Sequence, residues 1–493
     1  MDYTPDKRQT LGIVFEGFLA NDSRALIRTT DIYNARPLPD SSLSKLGTSQ
    51  WQGNRLTGNL NYTFKIDSLG RELSATADFV TFQNSILQQD VTTYSYVSPS
   101  YQQSPTFLKS ENPNQLTIGA IKLDYVQPVG KKSRLDAGVK ASMVNSDNPA
   151  QYWNVVQGVD VPDITKTNHF IYSENIYSAY LNFFHTFSKK VEGQFGLRQE
   201  TTQGTGTQVQ TDSTIRRSYT NLFPSAFLSW KIDSAHTLNF TYSRRIDRPD
   251  YGSLNPFPTN IGPYFYTIGN PYLLPEIADN FEVTHVYKNF LSAGLGYITM
   301  SNVISDAVHQ DDITHISYRT PNNLNHWDAY SALLSATFHP SHWWTIITSA
   351  NCAHDNYTGT LQGNAYSTAG YTVYYNINNS FGFKNGWGAE LTFYYTSLNR
   401  DAVLINDPRY AMNVGIRKRI AHGRGTFSLN LSDIFWSDRL TGTEVFQNVN
   451  YHSSYYSDSR RARITFTWKL GKSQYQREEK RAGAEEELNR VKK

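Results

Sequence analysis

Cysteine is almost absent: the 493 residues hold one, Cys352, so an internal disulfide and any cysteine-built metal cluster are excluded. Long apolar runs are absent too. No stretch approaches the ~20 residues that a transmembrane helix requires, so entry into a bilayer would have to be through strands. The net charge is only +3, with basic residues scattered along the chain and not gathered into a stripe, and nucleic acid is not an expected partner. The opening MDYTPDKRQT lacks the basic-then-apolar order of a secretory leader. No phosphate-binding glycine loop or nucleophile elbow occurs. The nearest approach to a metal site, His309 with Asp311 and Asp312, has no second cluster at ligand spacing, and Cys352 beside His354 is a spacing that arises by chance. Neither an enzyme nor a cofactor is expected.

What the chain does have is aromatic rings and alternation. Aromatics make up 14%, with 33 Tyr and 26 Phe, while charged residues are 18% and the mean hydropathy is −0.52. Residues this rich in Tyr and Thr favour strands. The stretch RARITFTWKLG (461–471) places Ile464, Phe466, Trp468 and Leu470 on one face, opposite Arg463, Thr465, Thr467 and Lys469. Leu60, Tyr62, Phe64 and Ile66 do the same within NLNYTFKI, and Leu238, Phe240 and Tyr242 within HTLNFTYS. Two structures ask for such strands. One is a soluble sandwich whose polar face meets water; the other is a membrane barrel whose apolar face meets lipid.

Connection lengths favour the barrel. Short turns (67–70, 129–133, 188–190, 232–235, 339–343, 385–386, 421–425) alternate with long polar connectors such as 85–113, 148–167 and 249–277. An outer-membrane barrel shows that segregation, with the short turns periplasmic. Eight hairpins, an opening strand at 11–20 and a closing one at 457–470 bring the count to 18, an even number as bacterial barrels have. The expected fold is therefore all-β, an antiparallel transmembrane barrel over residues 1–471, followed by a charged, solvated periplasmic tail over 472–493. Leu60, Phe240, Leu429, Phe466 and Trp468 should face lipid. Lys65, Asn239, Thr241, Asn430 and Lys469 should face the lumen, and Arg244 should meet lipopolysaccharide phosphates at the rim.

One connector stands apart. SRRIDRPDYGSLNPFPTNIGPYFYTIGNPYLLPEIADNFEV (243–283) holds six prolines, which fix φ and remove donors, so it should be a shaped loop folded over the mouth. This run, with RQTLGIVFEG (8–17), YSENIYSAYLNF (172–183), FGLRQE (195–200), YTNLFPSAFLSW (219–230), LSDIF (431–435) and the closing ITFTWKLG, resembles the barrel of TonB-dependent outer-membrane receptors of the Bacteroidota type. The resemblance implies a 22-stranded barrel in a Gram-negative outer membrane that imports large scarce nutrients such as iron chelates or glycans. It also implies a signal peptide, a regulatory-like domain, a plug that contacts the TonB complex, and about four further strands, all ahead of these residues. The motif positions are Arg248, Pro249, Asn255, Pro256, Phe257, Gly269, Asn270, Pro271, Pro275 and Glu276. Tyr264, Phe265 and Tyr266 are candidates to stack on substrate, although packing of the loop on itself is the preferred account of them. Phe466, Trp468 and Leu470 would form the strand read by the barrel assembly machinery. A complete 18-stranded porin and a soluble β-rich binding protein are the alternatives.

Overall fold

A computed structural model describes residues 2–33, 38–39, 41–96, 103–259, 262–314, 316–361, 363–447, 449–470 and 483–491. Gly471, where the barrel was expected to end, and 472–482 of the expected tail lie outside the described residues. Among the described residues the wall is a meander of eighteen strands. In order they are β1 (Gln9–Ile32), β2 (Ser41–Lys65), β3 (Glu72–Tyr96), β4 (Thr106–Val129), β5 (Ser133–Val156), β6 (Asn168–Thr186), β7 (Val191–Gln208), β8 (Ser213–Lys231) and β9 (His236–Asp247). There follow β10 (Glu276–Tyr287), β11 (Leu291–Gln310), β12 (Ser317–Ser341), β13 (Trp344–Leu361), β14 (Asn364–Gly382), β15 (Trp387–Thr396), β16 (Arg409–Ile420), β17 (Gly425–Ser432) and β18 (Arg461–Trp468). Each pairs antiparallel with the next, as the alternation predicts.

Of the expected lipid-facing residues, Leu60, Phe240, Leu429, Phe466 and Trp468 are all exposed. Of the expected lumen residues, Asn239 is half-buried while Lys65, Thr241, Asn430 and Lys469 are exposed as well, so burial does not tell the two sets apart; higher on the inner face Asn59 and Asn61 are buried, Asn59 donating to Asp78 at 2.7 Å. At the short-turn end, Trp343 lies about 6 Å from the rings of Trp344, Phe381 and Phe383, and Lys418 sits 4.8 Å over Trp387. Amphipathic rings gathered at one end are what a membrane–water interface selects. The tight turn there uses Asn385 (φ 60°) and Gly386 (φ 77°), the left-handed pair that a two-residue hairpin needs.

Three expectations change. The connectors 85–113 and 148–167 are largely strand: β3 runs to Tyr96, β4 begins at Thr106, and β5 runs to Val156. A membrane span needs only about 9–11 residues, and above it both faces are wet, so the ladder continues without an apolar period to reveal it. The second change concerns closure by residues 11–20, which a complete 18-stranded porin needs. Among the described residues β1 pairs with β2 and with the short strand Asp2–Tyr3, β18 pairs only with β17, and β1 and β18 do not meet. The third is the tail: Ala484, Glu487 and Arg490 are buried inside the wall, not solvated. Charge along the sequence signalled water, but those charges have opposite charges waiting on the lumen face.

A lysine at Phe240 should cost roughly 2–4 kcal/mol in urea unfolding of the bilayer-inserted protein, whereas one at Thr241 should cost little. Equal costs at the two positions would be incompatible with this orientation.

Candidate functional site

The lumen wall is graded. Cross-strand rows of inward residues run Phe82, Leu116, Ser146, Tyr172, Gly206 and, one row lower, Val80, Ile118, Val144, Glu174, Gly204. Below them come Asp78, Ala120, Ser142, Ile176, Thr202, and then Thr76, Lys122, Lys140, Ser178, Glu200. The lower rows suit water. The upper rows do not: Val80, Leu116, Ile118, Val144 and Phe170 are essentially inaccessible, so something must cover them.

The connector between β9 and β10 is the cover. Asp250 accepts bonds from the Ser253 N–H (2.9 Å) and hydroxyl (2.8 Å), shaping the 3₁₀ turn Gly252–Leu254. That turn drives Tyr251 and Leu254 into the apolar rows, where Leu273 joins them. Arg248 enters the lumen beneath, donating to Glu200 and, at 2.9 Å, to Thr202 Oγ1. Arg217 on β8 donates to the carbonyls of Pro271 and Leu273. Asn270 reaches the Pro321 carbonyl at 3.1 Å, and its own N–H meets Ser253 O at 2.7 Å. Gly269 must be glycine, because a Cβ there would lie 2.4 Å from Asn255 O and 2.6 Å from Ser253 O. Glu276 accepts the Ile304 N–H at 2.6 Å, and Asn302 donates to the Pro275 carbonyl at 3.4 Å. Most motif positions thus act as fasteners, by side chain or backbone. Pro249 O accepts from Arg490 at 3.1 Å, and Asn255 Oδ1 is buried without a partner. For Pro256 and Phe257 the structure supplies no comparable bond.

The aromatic trio divides. Phe265 and Tyr266 belong to a short strand, Phe265–Thr267, that pairs parallel with the start of β12. Tyr266 stacks on Tyr318 at 5.3 Å, Tyr318 stacks on His309 at 4.8 Å, and Phe265 lies parallel to Tyr451 at 6.2 Å. Those faces are occupied by the protein itself; Tyr264 remains partly exposed. His309 is therefore a stacking partner, and among the described residues no group of three His, Cys, Asp or Glu side chains comes together to hold a metal. Cys352 is exposed on the wall, with Ala332 and Val373 directly across from it on the neighbouring strands. Arg244 is bound to Asp279 at 2.7 Å, so its fork is committed within the wall.

Beside the connector, strands Asn399–Asp401, Leu404–Asn406, Leu440–Phe446 and Val449–Tyr455 form a separate sheet. Val403 and Phe446 pack it onto Val303, Leu324 and Leu361 of the wall. Glu444 is buried there, accepting the Val308 N–H at 2.6 Å with Arg319 at 3.7 Å. Burial pushes its carboxyl above the ordinary value, and that bond and the guanidinium only partly offset it.

Sequence reasoning missed the apolar seat and its clamps: Glu200, Thr202, Arg217 and Asn323, the last accepting the Leu274 N–H at 2.8 Å and donating to the Leu274 carbonyl at 3.0 Å. A signal existed in FVTF (79–82) and LTIGAI (116–121), where apolar residues occupy both faces of a strand that should have one wet face.

A family model described as the outer membrane protein beta-barrel family matches residues 64–468. No curated protein matches the chain in sequence. Among solved structures, the chain is similar to the copper transporter OprC (TM-score 0.53, 11% identity, covering 93% of this chain and 79% of that one). It is also similar to the ferric yersiniabactin uptake receptor FyuA of Yersinia pestis (0.51, 11%, 93% and 76%) and to the ferripyoverdine receptor of the outer membrane of Pseudomonas aeruginosa (0.51, 11%, 94% and 71%). At such identities the likeness concerns the fold.

Arg248→Met removes the nearest partner of a buried Glu200 and should weaken docking of the connector by about 3 kcal/mol, the low end for a broken buried pair because Arg198 remains at 3.4 Å. Chymotrypsin should then cut within 249–275 in protein that still migrates as a folded barrel. Glu444 makes the upper sheet pH-sensitive. A carboxyl raised in the folded state contributes most below its unfolded value of about 4.3, and the contribution is lost as pH rises through the folded value. Proteolysis of residues 440–455 should be slower at pH 5 than at pH 8, and Glu444→Gln should abolish the difference.

Proposed function

The chain belongs to the outer membrane protein beta-barrel family, and from that premise we propose that it forms the wall and mouth of a TonB-dependent receptor importing a large scarce nutrient, an iron chelate, a glycan or a molecule of similar size. The observation that carries this reading is the inward-folded connector. A connector folded into the lumen narrows the passage, and a receptor that admits one class of solute needs a mouth held shut by releasable contacts. Arg248, Arg217 and Asn270 supply such contacts. Likeness in fold to proteins described as uptake receptors and as a transporter supports it further.

In this reading the unpaired edges of β1 and β18 are joined by further strands, about four to reach 22, since lone backbone groups in lipid cost several kcal/mol each. Coupling to the TonB complex runs through a plug domain. Outer-membrane lipid and lipopolysaccharide surround the wall. The exposed Phe466, Trp468 and Leu470 of the closing stretch are offered to the assembly machinery. The chain binds and passes solute and performs no chemistry on it. The passive-porin reading retains one observation, a wall of eighteen strands, the size that leaves an aqueous channel.

Uptake of radiolabelled ferric siderophores and of fluorescent oligosaccharides, measured in cells expressing the full-length gene with and without TonB, separates the readings. Uptake that collapses without TonB while surface binding persists is the expected result. Uptake indifferent to TonB and linear in concentration would establish a porin.

A further inference from the structure

We propose that the outer face of β1 to β5 carries a binding site for an acylated saccharide, the chemistry of the glycolipid in the outer leaflet of a Gram-negative outer membrane. The site has two parts, a polar hollow for the sugar and apolar slots beneath it for a hydrocarbon chain. The hollow, about 420 Å³, is lined by Leu19 and Asn21 of β1, Gln52 and Asn54 of β2, and Gln83 and Ser85 of β3. All six share the face of Leu60. Asn54 stands six residues from it on β2, and the ladder sets Leu19 and Gln83 beside Asn54, and Asn21 and Ser85 beside Gln52.

Height places the hollow among headgroups. From Phe64, near the short-turn end of β2, to Asn54 is ten residues, about 33 Å along the strand; a tilt of about 40° reduces that to about 25 Å, the height of the apolar band. The amides therefore begin where hydrocarbon ends. Asn21, Gln52, Asn54 and Gln83 are exposed, and among the described residues none of them is hydrogen-bonded within the protein. Amides on the inner face are committed instead, Asn59 to Asp78 and Gln88 to Asp90. Each free amide offers donors and an acceptor side by side, the complement of ring hydroxyls and of an N-acyl group. No basic side chain lines the hollow, and Arg244 at the rim is spent on Asp279, so phosphate is not the handle.

Below the hollow, one outward row crosses five strands as Phe15, Gly58, Phe79, Gly119 and Met143. The three large side chains are ridges, 73%, 53% and 56% exposed, and a Cβ at either glycine would meet nothing within 4 Å. Ridges two strand spacings apart, about 9.6 Å, leave a slot between each pair. The slot at Gly119 continues downward into an apolar hollow of about 550 Å³ at Ile121, Ala141, Tyr177 and Ala179. Surrounding lipid is as apolar as the wall, so a chain gains here from close packing and not from leaving water, and close packing needs a shaped slot. Slots and amides are continuous with the lipid-facing band, which selects a membrane glycolipid over a soluble sugar as the occupant. The proposal rests on the outer-membrane placement of the wall; it is independent of the receptor reading and of what fills the lumen.

The test uses the product of the full-length gene, purified from outer membranes in mild detergent, stripped of lipid and titrated under native mass spectrometry. The probes are hexa-acylated lipid A, its monophosphoryl form and phosphatidylethanolamine. Lipid A should bind saturably, the monophosphoryl form equally well, and phosphatidylethanolamine about tenfold more weakly for want of hydroxyls to meet the amides. Asn54→Ala with Gln83→Ala should weaken lipid A by about tenfold, through two lost hydrogen-bonding groups. Gly58→Leu with Gly119→Leu should weaken it by blocking the slots, while heat-modifiable migration stays intact because leucine suits a lipid-facing position. Should one pair of substitutions prevent folding, the other decides. Equal binding of phosphatidylethanolamine would show ordinary boundary lipid and overturn the proposal. Loss of binding with the phosphate, or a folded double variant that binds as the parent does, would overturn it too. None of these outcomes depends on TonB or on uptake, so this site and the transport reading stand or fall separately.

Discussion

Lipid offers no hydrogen bonds, and that constraint organises the molecule. Every backbone N–H and C=O within the bilayer has to be paired inside the protein, so consecutive strands lie side by side and irregular chain is pushed to the two ends. Alternation follows, because each strand then meets hydrocarbon on one face and the interior on the other. The constraint also sharpens the meaning of the seam between β1 and β18, where the pairing rule is not yet met by the described residues.

Inside the wall the problem inverts. An interior wide enough for water has to be either polar or filled, and this one is both, by height. Its lower rows carry Lys122, Lys140 and Glu200; its upper rows carry Val80, Ile118 and Phe170, which would be costly beside water. The connector brings Tyr251, Leu254 and Leu273 to them, and the C-terminal segment brings Leu488 and Val491. Charged clamps then give this filling an address: Arg248 fits only where Glu200 and Thr202 stand, and Arg490 only where Glu174 stands.

The wall was legible in the sequence because lipid imposes a strict period of two, and Leu60, Phe240 and Phe466 obey it. Strand ends were less legible, since above the membrane Gln88, Gln89 and Thr92 of β3 continue the ladder with no apolar face to mark them. The connector could be singled out by its prolines, and its resemblance to a family could name Arg248 and Gly269, but the partners of those residues lie on β7 and within the loop itself, at separations no local pattern encodes. The tail misled for a related reason. Glu487 and Arg490 look like residues for water until Lys140 and Glu174, more than three hundred positions away, are placed opposite them.

Strand length varies around the wall, and the variation is not random. Strands β1 to β5 hold 24 or 25 residues each, whereas β9 and β10 hold 12, and β15 to β18 between 8 and 12. At about 3.3 Å per residue the rim is therefore a parapet on one side and is notched in two places. The proline-rich connector springs from the first notch and the four-stranded sheet from the second. Stiff, hydrogen-bonded masonry therefore surrounds much of the mouth, and chain that is not part of the wall enters it from the two sills, so the outline of the opening is set in those two sectors.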